Sequence, residues 1–232
     1  ILNLDPNNAE ALHLLGIISY QEGKNENAVD LMSRALDINP DFTDAHSNLG
    51  IALHDLGKLD EAVASYRKAL DIEPNSPNAL GNLGSALRDL GKLDEAVASY
   101  RKALDISPNF VGAHNNLGTI IRELGNLDEA VASHRKALDI DPNFASAHNN
   151  LGIALRDLGK LDEAAASYRK ALDINPNFVN AHNNLGNVFR DLGKLDEAAA
   201  SYRKALDIDH DFTDAHNNLG VALNNLGKLD EA

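Results

Sequence analysis

The chain has 232 residues, no cysteine and a formal charge of −14, from 21 basic and 35 acidic side chains. This excludes disulfides and thiolate metal sites, speaks against nucleic-acid binding, which needs clustered Lys and Arg, and suits a self-repelling surface. No uninterrupted apolar run approaches the roughly 18–20 residues that span a bilayer.

Residues 1–8, Ile1-Leu2-Asn3-Leu4-Asp5-Pro6-Asn7-Asn8, match the tail of a repeat such as Ala35-Leu36-Asp37-Ile38-Asn39-Pro40. Leu-Gly then recurs every 34 residues, at Leu15-Gly16, Leu49-Gly50, Leu83-Gly84, Leu117-Gly118, Leu151-Gly152, Leu185-Gly186 and Leu219-Gly220. Six repeats follow one another over 9–42, 43–76, 77–110, 111–144, 145–178 and 179–212, with a partial seventh over 213–232. A strict period of this length is the signature of a helical solenoid, in which each repeat contacts only its neighbours. The expected fold class is all-α.

The repeat 111–144 serves as a specimen. Asn109 is expected to cap a first helix near 111–124. Ala113, His114, Leu117, Gly118 and Ile121 fall on one face of it. Gly125-Asn126 stops that helix, glycine tolerating a left-handed C-terminal conformation. Asp128-Glu129 open the second helix, where carboxylates suit the positive dipole end. Its expected buried stripe is Ala130, Val131, His134, Ala137 and Leu138, and Ile140 and Pro142 end it. Small residues on both helices let the axes approach toward the low end of the usual 8–10 Å. Helices of about 14 residues are marginal alone in water, so stacking must supply the burial.

The pattern Leu83-Gly84, Ala96, Tyr100, Ala103 and Pro108, repeated along the chain, resembles the tetratricopeptide repeat. The first aromatic of that family is replaced here by His46, His114, His148, His182 and His216, or by Leu12 and Leu80. The second survives as Tyr66, Tyr100, Tyr168 and Tyr202 but becomes Met32 and His134 elsewhere. The resemblance implies antiparallel helix pairs in a right-handed superhelical solenoid, with the first helices lining a concave groove that holds an extended peptide in relatives.

On the groove face of the sixth repeat stand Asn180, Asn184, Asn187 and Asp191, with Asn183 and Arg190 beside them. Across the array one series runs Asn48, Asn82, Asn116, Asn150, Asn184 and Asn218, broken only by Leu14, and a shorter one runs Asn115, Asn149, Asn183 and Asn217. An amide side chain donates and accepts at once, so one per repeat would hold an extended peptide backbone. This is similar to the asparagine ladder of O-linked N-acetylglucosamine transferases. The competing expectation is a structural clip between neighbouring helices.

Arg88, Arg122, Arg156 and Arg190 are each followed by an acid. They either grip acidic groups of a ligand or, as the balance favours, suit the helix dipole while the adjacent acid pairs with Arg of the next repeat. The nine histidines do not read as a metal site: His46 and His54 lie eight residues apart on one helix, too far to share an ion. No nucleophile motif or phosphate-cradling loop is present, so neither catalysis nor a cofactor is expected.

The expected function is a non-catalytic scaffold for a protein or peptide segment. The alternatives are arrays that stack head to tail into a filament, or a repeat region within a larger enzyme such as a glycosyltransferase. No compartment follows from the sequence.

Overall fold

The computed structural model describes residues 7–227. Most of the expected tail segment at the start, and Ala232 with the end of the partial seventh repeat, lie outside the described residues. Among the described residues the elements are α1 (Ala9–Gln21), α2 (Asn25–Ile38), α3 (Thr43–Asp55), α4 (Leu59–Ile72), α5 (Pro77–Asp89), α6 (Leu93–Ile106), α7 (Val111–Glu123), α8 (Leu127–Ile140), α9 (Ala145–Asp157), α10 (Leu161–Ile174), α11 (Val179–Asp191), α12 (Leu195–Ile208) and α13 (Thr213–Leu226). None of these helices is long and apolar enough to cross a membrane.

The chain divides within α7 into two compact units, residues 1–116 and 117–232. In the first, each of α1 to α5 packs on the helix that follows it, and α3 touches both α1 and α5. In the second, each of α8 to α12 packs on its successor, and α11 touches both α9 and α13. Each unit is thus a solenoid of stacked helix pairs.

The Leu-Gly period has a packing cause. Tyr66 is buried on α4, and a Cβ added to Gly50 of α3 would lie 2.5 Å from its ring. Tyr168 on α10 relates to Gly152 of α9 in the same way, at 2.7 Å. Glycine is required there because an aromatic face occupies the space any side chain would need. Ala62, Ala69, Ala164 and Ala171 are fully buried beside these rings and keep the paired helices close. Each buried tyrosine stabilises its pair by roughly 1.5–3 kcal/mol.

The turns are built from side chains as well as backbone. Gly125 adopts φ +86°, the left-handed stop expected after the first helix. Asp128 and Glu129 occupy the first turn of α8, whose N-cap Asn126 makes no side-chain bond, so charge rather than a cap favours that end. Asn109 is not the cap of α7. The helix begins at Val111, and the Phe110 carbonyl accepts the first helical bond, from His114 N at 3.2 Å. In other repeats an acid or amide two residues before that position bonds within the turn: Asp141 Oδ1 accepts from Asn143 N at 3.0 Å and Asn175 Oδ1 from Asn177 N at 3.1 Å.

The histidine series closes the same turns. His46 Nε2 donates to the Pro40 carbonyl at 2.8 Å, and His114, His148 and His182 donate to Pro108, Pro142 and Pro176, each at 2.9 Å. Where His210 replaces proline, His216 still donates to its carbonyl, at 2.7 Å. Imidazole at this position therefore ties the start of the first helix to a carbonyl of the inter-repeat turn.

Candidate functional site

The asparagines predicted as binding residues lie on the first helix of each pair, and the structure separates the two series by depth. Asn48, Asn82, Asn116, Asn150, Asn184 and Asn218 are half-buried. Asn115, Asn149 and Asn183 are only 6% exposed, whereas Asn217 on α13 is exposed.

In the second unit the two series interlock. Asn184 Nδ2 donates to Asn149 Oδ1 at 3.1 Å, and Asn218 Nδ2 donates to Asn183 Oδ1 at 3.0 Å. Asn149 Nδ2 in turn donates to Asn150 Oδ1 at 3.3 Å. The buried amide of one repeat is therefore satisfied by the outer amide of the next, as a buried polar group requires. In the first unit Asn48 Nδ2 donates to His13 Nε2 at 2.9 Å. That bond needs His13 neutral, and burial lowers its pKa against an opposing influence from Asp44. Asn116 donates to the Tyr100 hydroxyl at 3.2 Å and accepts from Asn115 Nδ2 at 3.4 Å.

His13 was missed as part of this arrangement. It occupies the repeat position of Asn149 and Asn183 and accepts from the next repeat as they do. The 34-residue register was the signal that could have found it.

A second ladder flanks the first. Arg122 donates to Asp157 at 3.0 Å and Arg156 to Asp191 at 2.7 Å. His54 Nε2 donates to Asp89 at 2.8 Å from the same repeat position. The pairing runs from each donor to the acid of the following repeat, so each acid meets the donor of the preceding repeat, opposite to the direction expected. The reason is position: the acid lies one residue beyond the donor on its own helix. Arg190 bonds instead to Asn218 Oδ1, at 3.1 Å. Of the other face residues, Asn180 is exposed and Asn187 Oδ1 accepts from the Tyr202 hydroxyl at 2.9 Å. Among the described residues no three His, Asp or Glu side chains gather as metal ligands would.

The family profile described as "TPR repeat" matches residues 16–57, 118–156, 154–189 and 186–227. Two further tetratricopeptide repeat profiles match 41–109 and 99–132. The chain belongs to the tetratricopeptide repeat family. Its repeats superimpose on those of the APC/C hetero-tetramer Cut9–Hcn1 with a TM-score of 0.82, at 20% identity over 96% of this chain. The chain spans 44% of that protein's length. MamA matches with a TM-score of 0.63, at 26% identity over 72% of this chain and 92% of its own. YrrB, described as a TPR protein with an unusual peptide-binding site, matches with a TM-score of 0.62, at 24% identity over 80% of this chain and 96% of its own. No curated protein matches the sequence.

Proposed function

We propose that these tetratricopeptide repeats form a non-catalytic interaction scaffold that holds an extended peptide or protein segment along the face of the first helices. The outer series, Asn48, Asn82, Asn116, Asn150, Asn184 and Asn218, meets the ligand backbone, and Asn115, Asn149 and Asn183 position it. One observation carries the reading: the outer amides stay half-open, while the buried Asn149 and Asn183 accept from Asn184 and Asn218 of the following repeat. Asn184 uses one amide hydrogen on its neighbour, which leaves the second hydrogen and carbonyl lone pairs for a peptide group. Membership of a family that includes a peptide-binding protein, YrrB, agrees with this.

The test is peptide display against the full chain, followed by affinity measurement on the triple variant Asn116→Ala, Asn150→Ala, Asn184→Ala. Neutral hydrogen bonds contribute about 0.5–1.5 kcal/mol each, so three together should weaken binding by roughly 10-fold or more. Circular dichroism should show retained helix. Selected peptides that bind the triple variant as tightly as the parent would overturn the reading.

A further inference from the structure

The repeat pattern of the first unit departs at several positions, and two of these departures lie together. Phe42, Phe110, Phe144, Phe178 and Phe212 immediately precede first helices, but Ser76 stands in that position before α5. On the helix faces, Ser47 of α3 occupies the position of the inner asparagines Asn115, Asn149 and Asn183.

Both departures open space or free a polar group. Phe42 packs edge-on against His13 with ring centroids 4.6 Å apart, and the Phe110 ring lies 3.2 Å from where a Cβ on Gly81 would sit. Ser76 bears the same sequence relation to Ser47 and has no ring to lay over it; its hydroxyl accepts from Ala79 N instead. A cavity of about 370 Å³ opens there, lined by Asp44, Ser47, Asn48, Ser76, Asn82 and Phe110 among others. Asn82 would find its amide partner at the position held by Ser47, as Asn184 finds Asn149 and Asn218 finds Asn183. It finds none, and among the described residues the Asn82 side chain makes no hydrogen bond. The Asp44 carboxylate likewise has no hydrogen-bonded or ion-paired partner among them, and no cation lines the cavity.

We propose that this cavity, on the α3–α5 face, is where the scaffold grips its ligand, an extended peptide segment carrying a lysine or arginine. The inference rests on the peptide-binding reading and adds the place and the charge. Asn82 offers a donor and an acceptor to one peptide group. The Phe110 ring and the Ile51 side chain cover the aliphatic stem of the basic residue, whose cation meets Asp44. The overall charge of −14 draws such a segment in.

Peptides selected by display on the full chain, fluorescein-labelled and titrated by anisotropy, provide the probe. They should share a Lys or Arg. Asn82→Ala, removing about two neutral hydrogen bonds, should weaken them roughly 5- to 150-fold. Asp44→Asn should weaken them about 2- to 5-fold, the upper range of an exposed ion pair. Two further variants install residues that other repeats already carry, so the fold accepts them. Ser76→Phe fills the cavity, and Ser47→Asn gives Asn82 an internal partner. Each should reduce affinity at least as much as Asn82→Ala with the helical spectrum intact. Unchanged affinity in both, with the Asn116/Asn150/Asn184 triple variant still impaired, would overturn the cavity and leave the broader reading standing. Selected peptides without a basic residue would overturn the charge assignment.

Discussion

His134 holds the place that Tyr66, Tyr100, Tyr168 and Tyr202 hold in other repeats, fully buried beneath Gly118. A tyrosine there stays neutral, because burial pushes its ionisation upward, as at Tyr100. An imidazole is exposed to titration instead. Burial, aided by the Arg122 guanidinium, pushes its pKa from 6.5 down to about 4. The folded value lies below the unfolded one, so the unfolded chain takes the proton first as pH falls. Stability from this group is complete above pH 6.5 and is lost progressively down to about pH 4. The gap corresponds to about 3 kcal/mol at 1.36 kcal/mol per pH unit. Urea unfolding across pH 7.5 to 4 should show the loss. His134→Tyr should remove most of it, leaving a smaller slope from His13, whose pKa burial also lowers. Superimposable pH profiles for the two proteins would contradict this. Chemically the substitution was visible in the sequence as a break in a tyrosine series, and its burial followed from the register.

At the scale of the helix, the period and the Gly stops made the helix pairs and the buried stripe legible. Ala130, Val131, His134 and Ala137 are buried as the spacing on α8 implies, whereas Leu138, expected in the same stripe, is only half-buried. The cap of α7 was not legible, because Asn109 and Phe110 are adjacent and only backbone geometry decides which carbonyl starts the helix. The pairing of the asparagines was not legible either. The partner of Asn218 lies on another helix, at Asn183, and two Asn series in register leave open which amide points inward. That pairing yields a prediction at this scale. Asn183 is buried and its carbonyl accepts from Asn218, so Asn183→Ala strands a half-buried donor and removes a buried contact. The expected cost is about 1–3 kcal/mol. Asn180→Ala, on the exposed first turn of the same helix, should stay within about 0.5 kcal/mol. Chemical denaturation of the two variants distinguishes them, and equal stability would mean that the inner amide contributes no clip.

Across the whole molecule, two electrostatic effects oppose each other. The ladder pairs Arg122–Asp157 and Arg156–Asp191 join successive helix pairs, but their side chains keep about a third of their exposure, which limits each to ~0–1 kcal/mol. Against them stands an excess of 14 negative charges. Acids recur at the start of the second helices, as in Asp60-Glu61, Asp94-Glu95 and Asp162-Glu163. Glu95 and Glu163 meet Arg67 and Arg135 of the preceding repeat at 2.8 and 3.0 Å, and the excess charge is what remains after such pairs. Salt weakens both effects. It acts more strongly on the diffuse repulsion, because the screening length falls from about 30 Å at 0.01 M to about 8 Å at 0.15 M while a contact pair at 3 Å lies well inside either. Thermal melts followed by circular dichroism should therefore shift upward by a few degrees between these salt concentrations. For a chain of this size, about 1 kcal/mol corresponds to roughly 2–4 °C. Affinity for a basic peptide, on the proposed reading, should move the other way, since its attraction to Asp44 and to the net negative charge is screened by the same ions. A melting temperature that fell with salt would mean that the ladder pairs outweigh the repulsion. The net charge would then carry no cost to the folded array.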